Sequence, residues 1–276
     1  MTDATSDKVA TPATARRHES TPSDDLGRLC ASISTADSHR ISTGDTKLRA
    51  TRERLLSAAR ELVEESGYAS ASVLAIAQRA GVAAGTLYRH YVSKQELFVE
   101  LFRVVCDREL EALTQAIAGT PGAPAAQTLV VILVTFARRA LRAPRLAWAL
   151  LAEPVDPLVD AERLRYRRRY AELLVDELCR GVAAGELPDQ DPELTAAALV
   201  GACAEVLVGP LARSSALDAG AQARVLERLA ELVARAVGAG GDWPADGWRR
   251  AVNGPPRGSP LQPAALGDAH SPAIEV

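Results

Sequence analysis

The 276-residue sequence is poor in the residues that build several common kinds of site. Its four cysteines, Cys30, Cys106, Cys179 and Cys203, form no C-x-x-C pair and no short even spacing. That excludes a disulfide framework and a cysteine-based zinc site, and it fits a reducing compartment. The four histidines, at 18, 39, 90 and 270, show no metal-ligand spacing. No metal and no cofactor are therefore expected. Aromatic residues make up only 4%, too few for a stacking platform that binds single strands. Lysine occurs only at 8, 47 and 94, so the basic charge is nearly all arginine. Neither sign of charge dominates: 32 Lys+Arg against 35 Asp+Glu leave −3. A globally basic nucleic-acid coat is excluded, but a local basic surface is not. No apolar run approaches the ~18 residues of a membrane helix; the best is Leu129 to Phe136. The N-terminus carries Asp3 and Asp7 and no apolar core of a secretory signal. A cytoplasmic protein away from the membrane is the expectation. The sequence shows no nucleophile–base pair, phosphate loop or paired carboxylates, so an enzyme is not expected.

What is present is unevenly distributed. Residues 1–45 are rich in Thr, Ser, Ala and Asp and carry net −2, which reads as a disordered extension, a flexible tail rather than a DNA-contacting arm. Residues 46–103 hold nine basic and six acidic groups, net +3, the only positive segment. Residues 104–276 carry 18 basic and 22 acidic groups, net −4. Within them, 240–276 hold six of the sixteen prolines and read as a second disordered tail, with Trp243 and Trp248 as its only candidates for docking. The folded part is then 46–239, divided at about residue 103.

The fold class is all-α. Period-2 alternation is absent, and most prolines between 121 and 210 sit at the edges of apolar-periodic stretches. The first helix is expected over Thr51–Ser66, with Leu55, Ala59, Leu62 and Val63 inward and Gly67 as its stop. A second starts at the cap Ser72 and buries Val73, Ile76, Ala77 and Ala80. A third spans Ala84–Tyr91. A fourth is capped by Ser93 with Glu96 three residues on, a capping box, and reaches Ile117. Later helices are expected at about 124–142, 145–153, 157–184, 191–213 and 219–238.

Two short helices joined by a tight turn containing glycine form a helix-turn-helix pattern. Ala77 is small where the helices approach, Gly81 permits a left-handed turn, and Ile76, Val82 and Leu87 fill the wedge. The second helix then presents Ala84, Gly85, Thr86, Tyr88, Arg89 and His90 outward, toward a major groove. Thr86, Arg89 and His90 have the chemistry to reach base edges, and Tyr88 and Lys94 suit phosphates. An isolated match would describe an ordinary packed helix pair. This one is continuous from Thr51 to Glu96 and coincides with the positive segment.

Residues 51–102 closely resemble the DNA-binding domain of TetR-family transcriptional regulators. The most diagnostic stretch is Ile76-Ala77, Ala80-Gly81-Val82, then Gly85 through Tyr91, Lys94 and Leu97. The resemblance implies DNA contacts from Ser72, Thr86, Tyr88, His90 and Lys94. Position 83 departs from the pattern: Ala83 stands where a capping Ser is common in the family, a loss of ~1 kcal/mol of helix stabilisation. The resemblance further implies a larger helical domain, a homodimer formed by the last two helices (about 191–213 and 219–238), and a small-molecule pocket whose occupant controls binding to a palindromic operator, most simply as a repressor.

Five residues stand out as polar candidates for that pocket. They are Trp148 in an aliphatic helix, Arg163, Tyr166 and Tyr170 on one helical face with Arg167, and Glu205 within the apolar run Ala198–Leu211. A buried carboxylate needs a partner, unless Glu205 lies at the dimer interface. The Arg-rich run 163–169 also reads as a solvated face paired with Glu162 and Glu172. Few polar groups in a mostly apolar helical domain point to a lipophilic or aromatic effector. The competing reading is a DNA-binding architectural or partner-binding protein with no small-molecule ligand.

Overall fold

The computed structural model describes residues 35–212 and 217–239, with side chains from residue 45 on. Among the described residues the secondary structure is entirely helical. The helices are α1 (Thr35–Ser70), α2 (Val73–Arg79), α3 (Ala84–His90), α4 (Lys94–Ala118) and α5 (Ala125–Arg142). They continue with α6 (Pro144–Leu151), α7 (Pro157–Ala183), α8 (Pro192–Leu211) and α9 (Ala219–Ala236). The extension expected over 1–45 is corrected in part, because α1 begins at Thr35. Residues 1–34 and the tail at 240–276, Trp243 and Trp248 included, lie outside the described residues.

Most helices start where the sequence offers an acceptor for a free first-turn amide. Ser72 Oγ accepts from Ala75 N at 3.2 Å. Ser93 Oγ accepts from Glu96 N at 3.2 Å. Asp156, Asp191 and Asp218 cap α7, α8 and α9 in the same way. Proline occupies the first turn of α6, α7 and α8, where its missing N–H costs nothing. The capping box at Ser93 is shifted by one residue: Glu96 Oε2 accepts from Val92 N at 2.6 Å. As expected, Ala83 gives α3 no side-chain cap.

Gly67 stops the first regular helix as its sequence position suggests, with φ 81° and ψ 173°. One more turn, ending at Ser70, follows the kink. That backbone conformation is essentially confined to glycine.

α5 is the axis of the larger domain. Leu129 through Val134 are all buried, so this stretch of the helix is apolar all round, as a core segment must be. The β-branched residues in this run are tolerated because α4, α6, α7, α8 and α9 all pack around it. The approach of α7 is especially close. A Cβ on Gly181 would lie 2.5 Å from Ala125 Cβ and 2.7 Å from Leu187 Cδ1.

A second core joins α1–α4 to the larger domain. Leu55, Ile76, Leu87, Tyr91 and Leu97 bury against one another, and the cluster continues without a break to Leu146, Ala149, Val159 and Tyr166. The short helices are thus seated on α6 and α7 through α4.

Candidate DNA-contacting face and ligand cavity

The pair α2–α3 has the geometry anticipated from its spacing. Ala77 is 1% exposed, and Ile76 and Leu87 are fully buried. Gly81 adopts φ 65°, and a Cβ there would meet nothing within 4 Å, so the turn requires its conformational freedom and not its size. With the apolar wedge buried, α3 turns its other side outward. Gly85, Tyr88 and Arg89 are exposed, and Ala84, Thr86 and His90 are half-exposed. Ser72, the cap of α2, is exposed beside them. Four other arginines of the positive segment are committed elsewhere. Arg79 binds Glu61 and Glu65, Arg52 binds Glu100, Arg60 binds Glu64, and Arg103 binds Glu162. Arg89 has no ion pair or hydrogen bond among the described residues, which leaves its guanidinium free for an external acceptor.

Lys94 is held more firmly than a surface phosphate ligand. Its Nζ donates to Tyr68 O at 3.2 Å and lies over the rings of Tyr68 and Phe98, at 4.7 and 5.3 Å from their centroids. Burial holds its pKa below the ordinary lysine range.

A cavity opens within the larger domain, bounded by α4, α5, α6, α7 and α8; with the open solvent at its mouth included, the empty space is about 930 Å³. Its wall is mostly apolar, from Phe102, Leu113, Ile132, Phe136, Leu150 and others. Arg163, Tyr166, Arg167 and Tyr170 line it, as their helical spacing suggested. Glu109 and Arg139, which sequence reasoning missed, also line it and form a two-point ion pair at 2.5 and 3.0 Å. Nothing in the sequence signals that pair, because its members sit thirty residues apart on different helices. Both tyrosine hydroxyls already have acceptors. Tyr166 donates to Asp107 Oδ1 at 2.8 Å and Tyr170 to Cys106 O at 3.5 Å. Cys106 and Cys203 contribute as buried apolar groups, their thiols pushed up to about 12 by burial.

Two of the pocket expectations fail. Glu205 is exposed, not buried, because Leu199, Cys203, Leu207 and Leu211 set the inward stripe of α8 and position 205 falls opposite it. Trp148 does not line the cavity. Leu146, Ala147, Leu150 and Leu151 supply the α6 wall, and the indole packs against the core on another face. The solvated-face reading of 163–169 holds for Arg165, Arg167 and Arg168, which are exposed, but not for the Arg163–Tyr166–Tyr170 stripe.

Residues 55–101, which hold this helix-turn-helix, match the family described as bacterial regulatory proteins, tetR family. The chain thus carries the DNA-binding domain of that family. It is 27% identical over 186 residues to the HTH-type transcriptional regulator UidR of Escherichia coli K12, a match covering 65% of this chain and 93% of that one. The structure of a TetR/AcrR-family regulator from Thermobifida fusca is 28% identical with a TM-score of 0.53, covering 68% and 98% of the two chains. The fold is also shared with FadR from Bacillus subtilis, solved with stearoyl-CoA, at 22% identity and a TM-score of 0.58, covering 66% and 96%.

A short bonded path joins the cavity and the helix-turn-helix domain. Arg163, in the cavity wall, donates to Leu150 O at 2.8 Å, Ala149 O at 3.3 Å and Glu153 O at 2.9 Å, closing the C-terminal end of α6. The Glu153 carboxylate then accepts from Tyr68 N at 3.1 Å and Ala69 N at 3.4 Å, just beyond the Gly67 kink. The Tyr68 carbonyl receives Lys94, as above. A Cβ on Gly67 would sit 3.3 Å from Glu153 Oε1, so glycine serves both the backbone angle and the approach.

Proposed function

We propose that this TetR-family protein is a homodimeric repressor that leaves a palindromic operator when a lipophilic effector fills the cavity. The observation that carries the reading is the path from Arg163 through Glu153 to Tyr68. It ties the cavity wall to the backbone from which the DNA-contacting helices spring. A ligand that moves α6 or Arg163 changes the energy of that tie, and the two ligands, DNA and effector, then oppose each other by linkage. In this reading Arg89 and Thr86 contact base edges, with Ser72, Ala84, Gly85, Tyr88, His90 and Lys94 around them on backbone or bases. Lys94 acts chiefly by fixing Tyr68.

The dimer reading rests on α8. It is the only helix among the described residues long and apolar enough to cross a membrane, yet only Ala196, Leu199, Cys203, Ala204, Leu207 and Leu211 are buried. Leu194 is 68% exposed, Val206 is 36% exposed, and Gly201 and Gly209 leave room for close approach. A second copy of the chain would cover that face together with Leu232 of α9. The cavity makes an effector-free architectural role the weaker reading. The FadR complex with stearoyl-CoA supports a lipophilic occupant.

The test pairs sedimentation with binding to duplexes enriched from a random library. A dimer is expected, on sites whose half-sites lie about one DNA turn, ~34–36 Å, apart. Tyr88→Ala should weaken binding to all duplexes. Arg89→Ala should change base preference at one position by about 1–3 kcal/mol. A monomer on DNA, or unchanged binding by both variants, would overturn the reading.

A further inference from the structure

We infer that the cavity takes an elongated apolar molecule ending in one acidic group, and that Arg167 receives that group. The inference deepens the reading of the cavity as an effector site and rests on it.

Four charged side chains line the cavity: Glu109, Arg139, Arg163 and Arg167. Glu109 and Arg139 neutralise each other in the wall. Arg163 is spoken for by three backbone carbonyls and by Asp160 Oδ1 at 2.8 Å. Arg167 stands one turn further along α7, exposed, with no ion pair or hydrogen bond among the described residues. The cavity therefore presents one uncompensated positive charge. Burial holds Arg163 below the ordinary arginine range, and the Arg167 charge pushes it the same way, so an anion beside them would favour the charged form of Arg163.

Shape follows from the helix. Arg167, Tyr170 and Leu174 form one stripe on α7, running roughly 10 Å from a charged end to an apolar end. The hydroxyls of Tyr166 and Tyr170 are already donating elsewhere, so the wall between offers ring faces and aliphatic carbons. A polyhydroxylated ligand would lose its hydrogen bonds there. A straight apolar chain would not, and its acid would meet Arg167 in a charge-assisted pair.

The experiment is calorimetric titration of the full chain with dodecanoate, dodecanol and dodecylammonium, each below its aggregation concentration. Dodecanoate should bind about tenfold tighter than dodecanol, the size of one hydrogen bond to a charged group. Dodecylammonium should bind most weakly. Arg167→Gln should erase the acid–alcohol gap while leaving dodecanol unchanged, and Arg167→Lys should keep most of it. Because Arg167 is exposed, unchanged melting points are expected for both variants. Equal affinity for acid and alcohol, or a gap that survives Arg167→Gln, overturns the acid assignment and leaves an apolar effector site standing. Failure of all three to bind overturns both.

Discussion

Replacing Glu153 with alanine tests the bonded path at its narrowest point. The change removes the acceptor of two backbone N–H groups, Tyr68 at 3.1 Å and Ala69 at 3.4 Å. A hydrogen bond to a charged group contributes about 1.5–3 kcal/mol. The Ala69 contact is long enough to contribute little, and the carboxylate is half-exposed. The expected loss is therefore about 2 kcal/mol, essentially from the Tyr68 bond. The assays are denaturant unfolding and site-resolved amide hydrogen exchange. The unfolding midpoint should fall with an unchanged slope, since the fold itself persists. If the loss is local, the Tyr68 amide should exchange about thirtyfold faster, the same energy converted at 1.36 kcal/mol per decade. Glu153→Gln keeps an acceptor oxygen without its charge and should fall between. In the native chain an effector should alter exchange at Tyr68, and in Glu153→Ala it should not. A variant with unchanged Tyr68 exchange would refute the claim that this carboxylate holds the kink. Loss of stability with the effector response intact would refute its part in coupling.

Three other outcomes follow from the same contacts. Gly67→Ala should cost about 1–3 kcal/mol in thermal or denaturant unfolding, because its backbone conformation is nearly confined to glycine and Glu153 crowds the added methyl. Gly181→Ala should destabilise by about 1–3 kcal/mol through overpacking against Ala125 and Leu187, while leaving DNA preference unchanged in a binding assay. Glu162 has its carboxyl pKa lowered from the ordinary 4.5, first by its hydrogen bond to Arg103 on α4. A depressed folded pKa gives stability that is full above 4.5 and lost as pH falls through the lower value. Glu162→Gln should therefore narrow the difference in melting point between neutral and acid pH, by lowering the melting point on the neutral side and leaving it nearly unchanged at acid pH.

The helix-turn-helix was legible because local chemistry specifies it. Ser72 caps α2, Gly81 supplies the turn, and Ile76, Leu87 and the small Ala77 set the wedge within one short stretch of chain. The core helix α5 was legible for the same reason, as a run from Leu129 to Val134 with no charge to interrupt it. What failed was inference from neighbourhood without phase. Glu205 has apolar neighbours on both sides, but it stands two residues from Cys203 and from Leu207, on the opposite side of the helix from both. The spacing of the inward stripe contained that answer. Glu153 and Glu109 were not legible at all. Their partners lie far away in sequence, Tyr68 and Arg139 respectively, and each carboxylate precedes or follows residues that give no local hint of a long-range role. The cavity stripe Arg163–Tyr166–Tyr170 follows from its period, yet helical spacing alone does not separate Arg163, which closes α6, from Arg167, which remains free.

The central claim is that this chain reads a specific DNA site and that occupancy of its cavity governs that reading. The most direct measurement is selection of host genomic fragments by the purified full chain at near-physiological salt. The selected fragments are then challenged with the small molecules extracted from host cells. The expected result is an enriched site with two-fold symmetry, bound by a dimer and released by a lipophilic fraction of the extract. Absence of enrichment, with binding that depends steeply on salt but not on sequence, would contradict it.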